Sequence, residues 1–377
     1  LKKLEIPGVV PMPLHDFECN DETLLSVKPQ RSLVEYYWTL TPTLILRLLE
    51  RNPGIDVLTY LDADLFFFSS PDPIFKEMES HSVLIHEHRF SPALAHLERE
   101  NGKFNVGLLC FRNDATGKSV LSSWRMQCIE WCFNRYEDGK MGDQMYLNGW
   151  PGRFSNVRVL GHAGGGVAPW NNDQYRFSVS GSGKSLANGS DLIFYHFQSL
   201  GLADPETLVL AKHLTYRLSQ DVIKHCYLPY ADALSRAITL IRSIQPDFDF
   251  GLYEKGVLSD RHILFKKTGA IALDSKNPLI HRLRKLSASW DCFLSSQATD
   301  ASQAGVHDEE PQLWTEGRAV RSEDDLLLTL KDRSICQTIR VLYMVGAHEF
   351  QEEKLLHELF PNLEQIYLFE PIPAVFN

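Results

Sequence analysis

A run of apolar residues, VLTYLDADLFFF at positions 57–68, is interrupted by two carboxylates, Asp62 and Asp64. Apolar runs of this length predict buried strands, and residues i and i+2 of a strand lie on the same face. Two buried carboxylates side by side repel one another unless a cation lies between them. Mg²⁺ and Mn²⁺ prefer carboxylate oxygen and leave positions open for phosphate. The run therefore predicts a divalent-metal site at the end of a strand; a turn in which the two acids merely cap the next segment is the alternative.

Strand-like and helical segments alternate along residues 1–235, which predicts an α/β domain in which helices flank a sheet. A helix is expected over 32–51, because its apolar spacing stops before the helix-ending sequence Asn52-Pro53-Gly54. The tract 161–190, rich in Gly, Asn and Ser, is long for a connection, which favours a binding loop. The expected strands are 6–13, 57–68, 83–85, 106–111, 157–160 and 192–197, and the other expected helices are 119–135 and about 206–245.

The overall charge bears on the class of partner. The chain has 377 residues and a formal net charge of −10, with 38 Lys and Arg against 48 Asp and Glu. Without a basic surplus it is not expected to bind nucleic acid, although a metal ion or a few aimed amides can bind a small anion locally.

The cysteines and the hydrophobic runs bear on the compartment. The seven cysteines are dispersed and form no C-x-x-C, which favours free thiols in a reducing compartment. No apolar run approaches the about 20 residues of a membrane helix, and no charged-then-apolar leader opens the chain. The expectation is a cytoplasmic protein without a transmembrane segment.

Four motifs occur in order within residues 1–235. They are YLDADLFFFSSPDPIF at 60–75, Phe104-Asn105-Val106-Gly107, Gly142-Asp143-Gln144-Met145-Tyr146-Leu147-Asn148, and Ile193-Phe194-Tyr195-His196-Phe197. Together they resemble the D-x-D, F-N-x-G, D-Q-x-x-L-N and terminal-strand motifs of nucleotide-sugar glycosyltransferases with the GT-A fold, particularly family 8 and its bacterial relatives. The resemblance implies a GT-A-like, Rossmann-type mixed sheet flanked by helices.

The resemblance implies a metal centre built from three of these residues. Asp62 and Asp64, with His196, would bind Mn²⁺ or Mg²⁺, and the ion would bridge the two phosphates of a nucleotide-sugar donor, so that Asp62 also belongs to the donor site. A cation there would stabilise the nucleoside-diphosphate leaving group. The alternative for His196 is a structural histidine in an apolar strand.

The same resemblance implies the residues that hold the sugar. Asn105, Gly107 and Asp143 would lie at the sugar or acceptor, and Gln144, with Asp143, would take part in catalysis near the anomeric carbon. That arrangement implies a retaining reaction. As alternatives, Asn105 could be a turn residue helped by Gly107, and Asp143 could be a helix N-cap followed by Gln144.

Further binding residues are expected in the glycine-rich loop and before the first long helix. Three consecutive glycines at 164–166 allow a ligand to approach the backbone closely. Trp170 would offer a flat face to a sugar ring and Asn171 a hydrogen-bonding amide; a surface loop with one buried tryptophan is the alternative. Arg31 resembles a basic residue near the donor, against the alternative of a solvated arginine. The family's lysine after the histidine has no counterpart following His196.

The end of the chain predicts part of a second module. Val341-Leu342-Tyr343-Met344-Val345-Gly346, a helix, and Tyr367-Leu368-Phe369-Glu370-Pro371 resemble the start of FkbM-type S-adenosylmethionine-dependent methyltransferases. The resemblance implies that Gly346 lets the cofactor approach and that Glu370 binds its ribose hydroxyls. Met344 stands where an acid is usual. We expect S-adenosylmethionine (SAM) to bind only in a complete domain; a terminal βαβ piece that packs on the linker is the alternative.

The expected organisation has three parts. A GT-A glycosyltransferase domain covers 1–235, without a clear counterpart of the family's first, base-binding strand. A helical extension and linker covers 236–335, and a partial methyltransferase-like βαβ segment covers 336–377. Because the chain does not begin with Met and its last residues resemble the opening of a domain, a fragment of a longer protein is expected.

The resulting hypothesis is a metal-dependent hexosyltransferase with a nucleotide-sugar donor, expected to be a UDP-sugar, and a glycan or lipid-linked acceptor. One alternative is a SAM-dependent methyltransferase whose N-terminal module binds sugar or nucleotide without catalysis. A second is a non-catalytic binding module of the same fold. A third is a nucleotidyltransferase, which would need a Gly-rich, basic phosphate loop that the sequence does not show.

Overall fold

The computed structural model describes residues 9–204, 207–210, 216 and 218–248, together with the backbone of strands at 263–267, 290–294, 341–345 and 365–369. Within these residues the protein is a mixed α/β structure in which helices flank a mixed sheet, and the predicted fold class is confirmed.

The secondary structure of the described residues follows in chain order. The strands are β1 (Val9–Pro11), β2 (Val57–Leu61), β3 (Leu65–Phe67), β4 (Val83–Glu87), β5 (Phe104–Arg112), β6 (Val157–Val159), β7 (Phe177–Val179), β8 (Ser185–Ala187), β9 (Ser190–Asp191), β10 (Phe194–His196), β11 (Gly201–Asp204), β12 (Thr207–Val209), β13 (Ile263–Lys267), β14 (Trp290–Leu294), β15 (Val341–Val345) and β16 (Gln365–Phe369). The helices are α1 (Leu14–Glu18), α2 (Glu22–Val27), α3 (Leu33–Arg51), α4 (Asp72–Met78), α5 (Glu98–Asn101), α6 (Ala115–Glu130), α7 (Trp150–Arg153), α8 (Gln220–Val222) and α9 (Leu228–Ile244), with a π-helical turn, Ile223–Tyr227, between α8 and α9.

The sheet that carries the candidate site has the strand order β2-β5-β4-β6. β5 pairs antiparallel with both β2 and β4, and β6 runs parallel to β4. Every residue of β5 except Arg112 is buried, as expected for a central strand with neighbours on both sides. β5 therefore fixes the positions of the strand ends on either side of it.

Helix α3 shows how local sequence sets the elements around this sheet. Ser32 caps it with a reciprocal capping box, in which Ser32 Oγ accepts from the Glu35 backbone N–H and Glu35 Oε2 accepts from the Ser32 N–H. The helix ends at Arg51, before Asn52-Pro53-Gly54, as predicted. Its large buried apolar residues share one core with β5 and α6.

The run 57–68 was predicted as one strand, and that prediction is wrong in one respect. β2 ends at Leu61, a turn over Ala63 and Asp64 follows, and β3 begins at Leu65. β3 leaves the central sheet and pairs antiparallel with β10. The two acids therefore lie in the turn that passes the chain from one sheet to the other.

The region predicted as a helix over about 206–245 also differs from expectation. Thr207–Val209 form β12, which is buried along its length and pairs antiparallel with β11 on one side and with β13 on the other. The helical part begins at Gln220 and continues to Ile244 through the π-helical turn. The predicted helix is thus confirmed only in its second half.

The two strands predicted near the chain end are present. β15 and β16 pair in parallel, and β16 also pairs in parallel with β1. The helix predicted between them, together with Gly346 and Glu370, lies outside the described residues. The three-part organisation of the chain stays a prediction.

Helix length and hydropathy bear on membrane association. Among the described helices, none combines the length and the apolar character that a bilayer crossing requires.

Candidate metal centre

The turn after β2 and the last residue of β10 bring three metal-ligating side chains together. His196 Nε2 lies 2.9 Å from Asp64 Oδ1 and 3.9 Å from Asp62 Oδ2. One ligand atom from each residue lies within 4.8 Å of the others. Two carboxylates and one imidazole form a donor set suited to a divalent cation. The predicted convergence of these three residues is confirmed.

Backbone hydrogen bonds explain how residues so far apart in sequence meet. The Asp62 N–H donates to Gly107 O at 2.9 Å, which ties the end of β2 to β5. The Phe197 N–H donates to Asp64 O at 2.7 Å, and His196 pairs with Leu65 across the β3–β10 ladder. The metal-ligand geometry therefore rests on two strand pairings.

The charges of the three groups depend on one another. Burial, and then Asp64, raise the pKa of Asp62 above its ordinary value, although His196 acts in the opposite direction. Burial also acts to raise the pKa of Asp64, but the charge and hydrogen bond of His196 outweigh it and the pKa is lowered. Burial opposes the charged form of His196, yet Asp64 and Asp62 raise its pKa. A bound cation would replace the proton of His196, because metal ligands bind in their deprotonated forms.

Tyr60 fixes the orientation of Asp62. Its hydroxyl donates to Asp62 Oδ1 at 2.7 Å, and its ring is buried within β2. This leaves Oδ2 of Asp62 on the side of His196. Tyr60 therefore orients Asp62 through the carboxylate oxygen that does not face His196, as residues that support metal ligands do.

Gly107 leaves the space in which the His196 ring lies. A Cβ atom at this position would be 2.8 Å from His196 Nδ1 and 2.7 Å from Asn105 Oδ1. The Gly107 N–H donates to the same Asn105 oxygen at 2.8 Å, which orients the Asn105 amide. Glycine is needed here for close approach.

The substitution Gly107→Ala is expected to weaken Mn²⁺ binding about 10–100-fold, the range seen when groups that support metal ligands are changed. The added methyl group would displace the His196 ring. Titration calorimetry with Mn²⁺ measures the change. Gly152→Ala is the matched control, because nothing lies within 4 Å of a Cβ at Gly152. Equal Mn²⁺ affinity in the two variants would contradict the expectation.

Asp143 is a buried carboxyl group near Asp62. Its side chain is 3 % exposed, and Oδ2 has no hydrogen-bond partner among the described residues. Burial, and secondarily Asp62, raise the pKa of Asp143 well above its usual range. It precedes a short 3₁₀ turn, Gln144–Gly149, but its side chain makes no capping bond, which does not favour the N-cap interpretation. Gln144 is partly buried and contacts Met141 Sδ at 3.8 Å.

The glycine-rich loop packs tightly against β9 and against the end of β4. A Cβ at Gly164 would lie 1.9 Å from Asp191 O, and Gly166 has a positive φ of 76°. Trp170 is 4 % exposed, and its ring centroid lies 5.2 Å from that of His196. Asn171 is fully buried, donates to Gly166 O at 3.0 Å and accepts from the backbone of the same loop. Trp170 thus packs beside His196, whereas Asn171 holds the loop together, and the contact of either side chain with a substrate stays a prediction.

Arg31 lies away from this cluster. Its guanidinium donates to Ile129 O at 3.3 Å and stacks 3.8 Å above the ring of Phe133. Neither contact touches the three metal-ligating residues. A role for Arg31 at the donor stays a prediction.

Sequence reasoning missed two histidines at the end of β4. His86 and His88 are 1 % and 4 % exposed. His88 Nε2 lies 3.3 Å from Asn105 Nδ2, and the Trp170 indole donates to His88 O at 2.8 Å. The sequence contains one signal, a His-x-His pair at the end of an apolar strand. That signal does not reveal the contacts of His88 with Asn105 and Trp170, which are 17 and 82 residues away.

The fold and this cluster together define a mixed α/β protein with a candidate Asp–Asp–His metal centre. Two Bacillus subtilis (strain 168) proteins are similar in sequence. The uncharacterized protein YfnD is 33% identical over 254 residues, which cover 67% of this chain and 80% of YfnD. The uncharacterized protein YfnF is 31% identical over 257 residues, which cover 66% of this chain and 82% of YfnF. The chain belongs to the family of these two proteins. No protein-family model and no solved structure matches it.

Proposed function

We propose that this protein is a metal-dependent glycosyltransferase that moves a hexose from a nucleotide-diphosphate donor, a UDP-sugar, to a glycan or lipid-linked acceptor. The observation that carries the proposal is the group Asp62–Asp64–His196, whose ligand atoms lie within 4.8 Å of one another. Two acids and an imidazole would hold Mn²⁺ or Mg²⁺ and leave positions for phosphate oxygens.

The bound ion would act as a Lewis acid that stabilises the charge on the departing diphosphate. The protein's own residues define the rest of the site. Asp64, which directly precedes β3, and His196 of β10 would hold the ion together with Asp62, which Tyr60 orients. The Trp170 ring meets the His196 ring edge-on, with centroids 5.2 Å apart, and would shield that side of the ion from water.

Asp143 and Gln144 are proposed to bind the sugar of the donor. Asp143 Oδ2 is buried and lacks a partner among the described residues, so a sugar hydroxyl could donate to it. In the reaction, the bond between the anomeric carbon and the diphosphate breaks and a bond to the acceptor hydroxyl forms. The acceptor proton passes to an oxygen of the departing diphosphate, and Gln144 stands beside the reacting carbon in a retaining arrangement.

A cytoplasmic location belongs to the same proposal. Cys19, Cys110, Cys128, Cys132 and Cys226, the cysteines whose side chains the structure describes, are all free thiols. Free thiols fit a reducing compartment, where nucleotide sugars would be the donors.

The proposal predicts that one nucleotide sugar stabilises the protein only when Mn²⁺ is present. The reason is that the diphosphate would bind through the ion. A thermal-shift screen of UDP-glucose, UDP-galactose, UDP-N-acetylglucosamine and GDP-mannose, each with Mn²⁺ and with EDTA, measures this. At a ligand concentration about 100 times the Kd, binding contributes about 2.7 kcal/mol, which gives a clear shift in Tm.

The controls measure separately how much the nucleotide, the sugar and the ion contribute to the shift in Tm. UDP with Mn²⁺ reports the diphosphate alone, and Mn²⁺ without nucleotide reports the ion alone. A response to every nucleotide sugar that is the same in EDTA would rule the proposal out.

A further inference from the structure

Tyr60 and Asp62 lie two residues apart where β2 ends, and their side chains point to the same side of the chain. Tyr60 pairs with Leu109 in the β2–β5 ladder, and the Asp62 N–H donates to Gly107 O at 2.9 Å. The buried strand β5 therefore fixes the backbone of both residues.

The two carboxylate oxygens of Asp62 face different partners. The Tyr60 hydroxyl donates to Oδ1 at 2.7 Å, whereas Oδ2 is the oxygen that lies 3.9 Å from His196 Nε2. Thr41 also contacts the Tyr60 hydroxyl. An ionised carboxylate is the stronger acceptor of the two, so the phenolic proton points to Asp62. One oxygen of this metal ligand is thus already engaged within the protein.

An ion held by Asp62, Asp64 and His196 would therefore meet Asp62 through Oδ2 alone. For Asp62 to bind the ion with both oxygens, its carboxylate would have to turn and Oδ1 would have to leave Tyr60. The Tyr60 ring is 6 % exposed and belongs to the core that β5 shares with α3, so its hydroxyl cannot follow the carboxylate.

The number of oxygen ligands distinguishes the divalent ions. Ca²⁺ takes about six to eight oxygens and often binds both oxygens of one carboxylate. Mg²⁺ and Mn²⁺ are smaller and accept carboxylates through one oxygen, and a transition ion such as Mn²⁺ also accepts an imidazole nitrogen. With one oxygen from Asp62, at most two from Asp64 and a nitrogen from His196, the group offers fewer oxygens than Ca²⁺ prefers.

We propose that Tyr60 is a positioning residue that keeps Asp62 a one-oxygen ligand and thereby makes the centre select Mn²⁺ over Ca²⁺. This inference rests on the metal centre of the proposed glycosyltransferase, but not on the identity of its sugar or acceptor. A one-oxygen ligand also leaves more of the ion's coordination positions for the phosphate oxygens of a donor.

The substitution Tyr60→Phe removes the hydroxyl and keeps the ring. Calorimetric titration with Mn²⁺ and with Ca²⁺ gives the ratio of the two dissociation constants, Kd for Ca²⁺ over Kd for Mn²⁺. We expect this ratio to fall about tenfold in Tyr60→Phe, because Mn²⁺ loses a supported ligand whereas Ca²⁺ gains the second oxygen of Asp62. Tyr36→Phe is the matched control, because the buried Tyr36 hydroxyl also donates to a carboxylate at 2.7 Å, that of Glu18. It should leave the ratio unchanged.

Equal losses of affinity for both ions in Tyr60→Phe would assign the hydroxyl to packing, and an unchanged ratio would leave it without a role in ion selection. Either result overturns the inference, as does an equal change of the ratio in Tyr36→Phe. If Tyr60→Phe does not fold, a crystal structure of the wild-type protein with Mn²⁺ decides. One Asp62 oxygen on the ion and the other on Tyr60 supports the inference, and both oxygens within about 2.6 Å of the ion overturn it.

The same titrations distinguish this inference from the proposed function. A wild-type protein that binds no Mn²⁺ would refute both. If the ratio falls as expected but no nucleotide sugar gives an Mn²⁺-dependent shift in Tm, the selection of the ion stands and the proposed glycosyl transfer is wrong.

Discussion

Replacing Asp64 with alanine is expected to lower Mn²⁺-dependent cleavage of a UDP-sugar by about a thousandfold or more. The carboxylate is the nearer acid to His196, at 2.9 Å, and its loss would leave Asp62 and the imidazole as the only protein ligands of the three. Metal stabilisation of a leaving group is worth several kcal/mol, and about 4 kcal/mol corresponds to this loss of rate. The reaction is followed by measuring the release of UDP, with and without an extract that contains acceptor molecules.

The control for this change is Asp173→Ala. Asp173 is exposed and lies in the turn Asn172–Gln174, next to the loop that supports the centre. Its removal is expected to change the rate by less than about twofold, since exposed substitutions cost less than about 0.5 kcal/mol. Asp64 is itself 45 % exposed, so Asp64→Ala should fold. Full activity of Asp64→Ala, or activity of the wild-type protein in EDTA, would show that the reaction does not need the metal.

Much of the candidate metal centre could be predicted from the sequence because each of its three residues stands at the end of an apolar run. Asp62 and Asp64 follow β2, and His196 ends β10. Apolar runs mark buried strands, and strand ends are where polar ligands can gather. The boundaries of α3 could also be predicted, because Ser32 and Asn52-Pro53-Gly54 are local signals that act without tertiary contacts.

The break within 57–68 could not be predicted. No Gly or Pro marks the turn at Ala63 and Asp64, and hydrophobic periodicity does not distinguish one long strand from two. The break depends on β10, which comes about 130 residues later and pairs with β3 instead of extending the central sheet. A distant pairing therefore decides a local structure.

The contacts around the candidate metal centre could not be predicted from local sequence patterns either. The sequence predicts contacts of Trp170 and Asn171 with a sugar, but it does not reveal that both side chains donate to His88 O, at 2.8 and 2.7 Å. Likewise, the backbone carbonyl of Asp143 accepts a hydrogen bond from the indole N–H of Trp124, a residue of α6. Burial of a loop residue is set by its tertiary partners, which the spacing of residues does not encode.

Trp124 connects the stability of the fold to the site, and Trp124→Ala is expected to have the largest effect on stability. The side chain is fully buried in α6 and packs against Phe111 and Trp150, with ring centroids 6.5 and 5.4 Å away. Its indole N–H donates to Asp143 O at 2.8 Å. Removing a buried tryptophan costs about 3–5 kcal/mol, and the Asp143 carbonyl would also lose its partner.

Equilibrium unfolding in urea measures this loss, and Met126→Ala is the control on the same helix. Met126 is 62 % exposed, so its truncation should change the free energy of unfolding by less than about 0.5 kcal/mol. Because the Trp124 indole holds the backbone of Asp143, Trp124→Ala should also weaken binding of the UDP-sugar more than binding of UDP, whereas Met126→Ala should leave both as they are. If Trp124→Ala lowers the free energy of unfolding by less than about 1 kcal/mol, Trp124 does not fill a tightly packed core position, because emptying such a position costs more than that. Helix α6 would then not hold the site in place.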